Sequence, residues 1–195
     1  EFNLQGINRE SAIKTRSIIM LLGPLIHFLP EFYLPHASGC KLGRRTISAH
    51  AYAFDNLGVK IKTTGTAYQV KRNKLHPANI VMYETGDTAC ENALTASALI
   101  SGITTISFAS ANYMVQEICF FLEKLGVKIE GIGSSTLVVH GVREIDKDIE
   151  YWNSEDPIES MMFISAAIVT DSNLTITRAP IDFLTLELEK LKRMN

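Results

Sequence analysis

The residues with the most evident chemical potential lie in one short stretch, Pro35-His36-Ala37-Ser38-Gly39-Cys40-Lys41-Leu42-Gly43-Arg44-Arg45. Its two glycines, serine and proline predict a surface loop rather than a helix or strand. Cys40 sits between Gly39 and Lys41, with Arg44 and Arg45 close behind. Neighbouring cations favour a thiolate over a thiol, so this environment suits a reactive cysteine. Thr46 is placed to cap a helix predicted over Ile47–Leu57. A helix amino terminus flanked by arginines is a natural phosphate site. The chemistry this suggests is a reactive thiol beside a phosphate-binding helix start. A solvent loop with an incidental cysteine has the same composition, and the residues alone leave both readings open.

Other candidates are plainer. Cys90 opens an apolar helix and Cys119 lies inside the apolar run Val115–Leu122, so both read as small buried residues. His27, on an apolar helix, reads as a satisfied core histidine. His50, on the helix after the loop, is expected to face the loop or solvent. Tyr83-Glu84-Thr85-Gly86-Asp87-Thr88-Ala89 is a strand-to-helix turn, with Asp87 or Thr88 as the cap and Glu91 completing a capping box. Asp156-Pro157-Ile158-Glu159 resembles the same device further on. Arg16 is a lone cation in the first turn of a predicted helix, where the macrodipole disfavours it. That local conflict points to an anionic partner.

These residues need elements to position them, and an internal repeat supplies the pattern. Phe54-Asp55-Asn56-Leu57-Gly58-Val59-Lys60-Ile61 recurs 68 residues later as Leu122-Glu123-Lys124-Leu125-Gly126-Val127-Lys128-Ile129. Leu188-Glu189-Lys190-Leu191-Lys192 begins a third copy. In each full copy the leucine closes a helix on its apolar face, and the glycine supplies a left-handed helix end. Val-Lys-Ile then alternates as a half-buried strand does. A glycine-containing turn and a second strand follow (Ala67–Val70; Thr136–Val139), making a hairpin. Upstream, apolar helical runs recur at Ser17–Phe28, Asn92–Ile100 and Ser160–Val169. β-rich stretches are predicted at Phe32–Leu34, Thr104–Phe108 and Leu174–Thr177, and a linking strand at Ala78–Tyr83. The expectation is one α/β domain over residues 1–195, built from units of about 1–75, 76–143 and 144–195, with the last cut short.

Composition bounds the rest. The 195 residues are 46% hydrophobic and 21% charged, ordinary for a globular chain with a real core. A net charge of −2 gives no general attraction to nucleic acid or anionic lipid. Ile18–Leu34, the most apolar run, carries His27, Glu31 and two prolines and is a poor membrane span. Three widely spaced cysteines without a CxxC argue against a zinc site or disulfide framework and for a reducing, cytoplasmic setting. The chain opens at Glu1 and closes at Asn195 without a leader pattern, as a segment of a longer protein would.

Several of these strings together carry a family likeness. Lys14-Thr15-Arg16-Ser17 to Leu22-Gly23-Pro24-Leu25, Leu34-Pro35, Gly39-Cys40-Lys41-Leu42-Gly43-Arg44-Arg45 and His50 resemble the UDP-N-acetylglucosamine 1-carboxyvinyltransferases, a family of enolpyruvyl transferases. Gly86–Asn92 resembles that family's turn into its next helix, and Asp156 with Ile158-Glu159 and Phe163 the matching turn one unit later. The likeness runs over nearly the whole chain.

The resemblance implies an inside-out α/β barrel of βαβαββ units, of which this chain would be most of the domain with the catalytic loop. It implies transfer of enolpyruvyl from phosphoenolpyruvate to the 3-hydroxyl of UDP-N-acetylglucosamine, with release of phosphate, as the first committed step of bacterial peptidoglycan synthesis. It implies no cofactor and no metal. Cys40 matches the family's proton donor, which also forms an adduct with phosphoenolpyruvate and is alkylated by fosfomycin. Arg45 and Arg16 match substrate-site arginines. Arg45, Thr46, Ile47, Ser48 and Ala49 align with the stretch lining the uridine, and Glu84, Thr85, Gly86 and Asp87 with a second nucleotide-contacting turn. A second domain would supply the general base, so this chain alone is expected to lack turnover. The chain departs from the family at Ser48, Glu84 and Pro157, where acidic, lysine and arginine side chains are usual. Those departures keep a second reading in play: a non-catalytic relative that retains the fold and binds a nucleotide-sugar or phosphate.

Overall fold

The computed structural model describes residues 7–36 and 46–194. The chain divides into two compact units, Glu1–Ile149 and Glu150–Asn195.

The first unit begins with a short helix α1 (Arg9–Lys14), a 3-10 helix (Arg16–Leu21) and α2 (Leu22–Phe28). The apolar run predicted as one helix over Ser17–Phe28 is therefore two elements. Pro24, third in α2, has no N–H to give the carbonyl four residues back, and its ring crowds that carbonyl. The preceding turn tightens to 3-10 geometry, with the Leu22 N–H bonded to the Ile19 carbonyl. Next come β1 (Glu31–Pro35), α3 (Ser48–Asn56), β2 (Val59–Thr63) and β3 (Ala67–Arg72). The second half of the unit runs β4 (Asn79–Val81), α4 (Asp87–Ala98), β5 (Gly102–Ser107), α5 (Tyr113–Lys124), β6 (Lys128–Glu130) and β7 (Thr136–Gly141).

The two halves share one strand arrangement. In the first sheet, β3 lies between β1 and β2, antiparallel to both. In the second, β7 lies between β5 and β6, antiparallel to both, and β4 adds a parallel edge beside β5. Each sheet is thus a split β-α-β with the returning hairpin strand inserted. Strand alternation sets the inner faces: Phe32, Leu34, Val59, Tyr68 and Val70 are buried in one sheet, and Ile106, Ile129, Leu137 and Val139 in the other.

The α3–β2 and α5–β6 junctions turn where Leu-Gly predicts. Gly58 and Gly126 have φ of 88° and 100°, values that only glycine adopts without cost. At Gly58 the approach is also close, since an added Cβ would stand 2.5 Å from the Lys74 carbonyl oxygen.

Helix α4 is the centre of this unit. It packs against α2, α3, α5 and β7. Ala89, Cys90, Ala93, Leu94, Ala96, Ser97 and Ala98 are all buried, so the helix has no solvent stripe, and its small side chains let four neighbours approach. The core continues from it into both sheets.

The second unit contains α6 (Pro157–Val169), a 3-10 turn (Ile181–Phe183) and α7 (Thr185–Lys192). Asp156 caps α6 as the sequence predicts, its carboxylate accepting the Ile158 N–H at 2.7 Å with Pro157 at the first helical position. The strand expected at Leu174–Thr177 does not form. A strand exists only through its pairing, and among the described residues nothing in this unit pairs with that segment. Among the described residues no helix is long and apolar enough to cross a membrane, and no group of His, Cys, Asp and Glu is arranged to hold a metal ion.

Candidate functional site

Cys40 and Arg45, with the rest of residues 37–45, lie outside the described residues. The remaining candidates sit on three segments: the 3-10 helix that starts with Arg16, the start of α3, and the turn into α4. One amide side chain joins all three. Asn92, fully buried on α4, accepts the Gly23 N–H through Oδ1 at 2.9 Å. Its Nδ2 donates to the Ile19 carbonyl at 3.2 Å and lies 3.1 Å from Nδ1 of His50 on α3. Because Nδ2 can only donate, His50 Nδ1 must accept, and the ring proton of the neutral imidazole is on Nε2. The sequence places Asn92 within a family-like string but gives no reason for its role. A lone amide in a run of small apolar residues is the available signal.

His50 therefore faces inward rather than towards solvent. It is 3% exposed, because α3 turns its Ala49, His50, Ala53 and Phe54 face towards the core. Burial first, and the Arg16 charge second, push its pKa down from 6.5 to about 4. This sets a pH dependence. Above pH 6.5 the ring is neutral whether the chain is folded or not. Below it the unfolded chain takes up a proton that the folded one refuses, so stability falls between about 6.5 and about 4. The full loss from this group is roughly 3 kcal/mol. His27, half-buried against the Ala96 carbonyl at 2.8 Å, is also lowered by burial and adds to the loss. Glu91, raised by burial and by Asp87, opposes it. Urea melts across that range are expected to show the decline in the wild type and a flatter profile in His50→Gln; equal slopes would contradict the assignment.

Thr46 is not the cap of α3. The helix starts at Ser48, Ile47 occupies the cap position, and no side chain bonds the first turn. The Thr46 carbonyl instead accepts Arg16 Nη2 at 3.0 Å. That bond ties Arg16 to the amino end of α3, and the cation expected to suffer from its own helix start is directed to a carbonyl oxygen. Thr46 and Ser48 are exposed, whereas the side chains of Ile47 and Ala49 are buried. Only their main chain is available to a ligand.

The turn into α4 also differs from the expected capping box. Gly86 is the cap residue and Asp87 the first helical one. The Asp87 carboxylate reaches across to the segment that leads into α5, accepting Ser110 Oγ at 2.5 Å and Asn112 Nδ2 at 3.0 Å. Glu91 is buried rather than folded back on the cap. Glu84 and Thr85 are exposed. Just before them Tyr83 meets Tyr52 of α3, with ring centroids 6.0 Å apart and planes inclined at 54°. The α3 stretch and the α4 turn are thus brought together, with Arg16 bonded to the first.

Cys90 and Cys119 are buried as the sequence predicts, and burial pushes their thiols up to about 11 and about 12. Neither is a nucleophile at neutral pH.

Split β-α-β-β halves over a buried helix, with the candidate residues gathered at helix starts, make this an α/β domain. The chain aligns with the crystal structure of the enolpyruvyl transferase NikO from Streptomyces tendae at a TM-score of 0.70 and 21% identity, covering 90% of this chain and 43% of that one. Residues 6–195 match the family described as EPSP synthase (3-phosphoshikimate 1-carboxyvinyltransferase), and the chain belongs to that family. Among its relatives, the UDP-N-acetylglucosamine 1-carboxyvinyltransferase of Bradyrhizobium diazoefficiens is 35% identical over 178 residues, 91% of this chain and 41% of the relative. That of Treponema denticola is 36% identical over 171 residues, 88% of this chain and 40% of the relative. The chain therefore spans about two fifths of the length of these curated relatives.

Proposed function

We propose that this chain is the catalytic-loop domain of an enolpyruvyl transferase that moves the enolpyruvyl group of phosphoenolpyruvate to the 3-hydroxyl of UDP-N-acetylglucosamine. The observation that carries the reading is the identity of about one residue in three, along nine tenths of the chain, with relatives named for that reaction. In the reaction C3 of phosphoenolpyruvate gains a proton as the sugar hydroxyl loses its own and bonds to C2; C3 then gives a proton back, the C2–O bond to phosphate breaks and the double bond is restored, so the net products are the enolpyruvyl ether and phosphate. Cys40 is the proton donor. Arg45 and Arg16 neutralise the anionic substrate, and the Thr46–Ala49 and Glu84–Asp87 stretches receive the nucleotide. A second domain supplies the remaining groups, so the 195-residue chain alone has no turnover. The setting is the bacterial cytoplasm, and the product feeds peptidoglycan synthesis.

The contrast among the three cysteines gives a direct test. Cys90 and Cys119 are buried and their thiols are raised, so they stay protonated and shielded. Iodoacetamide at neutral pH is expected to alkylate Cys40 of the full-length protein first. That protein should release phosphate only when phosphoenolpyruvate and UDP-N-acetylglucosamine are both present, and Cys40→Ala should release none. A full-length protein that releases no phosphate under these conditions overturns the reading, as does labelling of either buried cysteine before Cys40.

A further inference from the structure

Two exposed tyrosines stand where the two candidate stretches meet. Tyr52 is 48% exposed and Tyr83 67% exposed, yet their rings lie within aromatic contact of each other. Exposed aromatic rings that restrain one another present flat apolar surface whose ordering cost has already been met in the fold. Their location is specific. Tyr83 follows β4, the strand parallel to β5, and precedes the first turn of α4. Tyr83 therefore lies just beyond the carboxyl end of the edge strand β4, beside the turn that opens α4. Tyr52 lies one helical turn beyond Ser48, on the same face of α3. Arg16 is bonded at the amino end of that helix through the Thr46 carbonyl. A cation at the helix start and aromatic rings one turn further along offer the two kinds of contact that a nucleotide takes, one for phosphate and one for base.

We infer that Tyr52 and Tyr83 form a stacking platform for the base of the nucleotide-sugar. The inference rests on the proposed function and deepens it. It assigns base recognition to rings on α3 and after β4, and it accounts for how a site with Ser48 and Glu84 in place of the family's charged contacts could retain a nucleotide. Stacking on a ring face needs no hydroxyl group, so phenylalanine can replace either tyrosine.

The test is made on the full-length protein. Calorimetric titration with UDP-N-acetylglucosamine is expected to give a Kd raised roughly tenfold in Tyr52→Ala and in Tyr83→Ala, and close to wild type in both Tyr→Phe variants. In phosphate-release assays the KM for UDP-N-acetylglucosamine should rise by a similar factor in the alanine variants, while the KM for phosphoenolpyruvate stays unchanged. Alanine variants that bind the nucleotide-sugar like wild type overturn the platform and leave the proposed function standing. A parallel rise in both KM values also overturns it, because it marks a structural role. A wild-type protein that binds no nucleotide-sugar removes the proposed function and the platform together.

Discussion

Asn92→Ala is expected to cost about 4 kcal/mol of folding stability. The side chain has no solvent exposure and serves the Gly23 N–H, the Ile19 carbonyl and His50 Nδ1 at once, with Met20 Sδ 3.7 Å from its Nδ2. Alanine removes the amide and leaves those groups buried. An orphaned buried donor or acceptor costs about 1–3 kcal/mol, well above the net value of a formed bond. Two main-chain groups and one ring nitrogen are involved, and partial relaxation or an entering water would keep the total below the simple sum. For a chain of this size 4 kcal/mol is a fall in Tm of roughly 10 °C. Thermal and urea melts followed by circular dichroism measure it, and a loss below about 1 kcal/mol would show that the three contacts are not jointly made. Asn92→Asp should fare no better, since a carboxylate cannot donate to Ile19 and would be buried with its charge. The same substitution should loosen the 3-10 helix from α3 and α4. Arg16, which starts that helix, would then lose its fixed relation to Thr46.

What could be read from the residues alone was what neighbours in sequence decide. Gly58 and Gly126 end their helices where Leu-Gly announces it, and Val-Lys-Ile alternates into β2 and continues towards β6, because helix ends and strand faces are local matters. The strand absent at Leu174–Thr177 and the divided helix near Pro24 mark the opposite case. A strand needs a partner from elsewhere, and a helix start needs to know which backbone groups are already bonded. The capping expectations for α3 and α4 failed for that reason, whereas the Asp156 cap of α6 is a local bond and forms as expected. Asp87 finds Ser110 and Asn112, and the Thr46 carbonyl finds Arg16, across 23, 25 and 30 residues respectively. Within the candidate site, composition singles out the cationic, glycine-bounded Cys40, which lies outside the described residues. The inward turn of His50 was not legible, because no local rule says which face of α3 meets α4. Tyr52 and Tyr83 pass unnoticed singly, since an isolated exposed tyrosine is ordinary; they gain meaning only when folding sets them 6.0 Å apart.

Gly141→Ala carries a comparable expected loss for a different reason. Gly141 pairs with Gly102 at the end of the β5–β7 ladder and lies against the carboxyl end of α4. A methyl group there would stand 2.1 Å from the Ile100 carbonyl oxygen and 2.4 Å from that of Ser97. Both are main-chain atoms, so no rotamer change can relieve the overlap. Either β7 or the last turn of α4 must move. The next residue limits that movement, because the Val142 N–H is bonded to the Ala98 carbonyl at 2.9 Å. Since Gly141 is not among the glycines with positive φ, the penalty would come from contact rather than backbone conformation. Overpacking of this kind costs about 1–3 kcal/mol where side chains can yield and more where they cannot, so a loss of about 4 kcal/mol is expected. Gly65→Ala is the matched control: an added Cβ there meets nothing within 4 Å, and its effect should stay within about 0.5 kcal/mol. Urea midpoints of the two variants compared side by side decide the matter. If Gly141→Ala unfolds no earlier than Gly65→Ala, the end of α4 does not sit on β7. The rigid placement of the opposite end of that helix, where Gly86 and Asp87 lie, would then need another source.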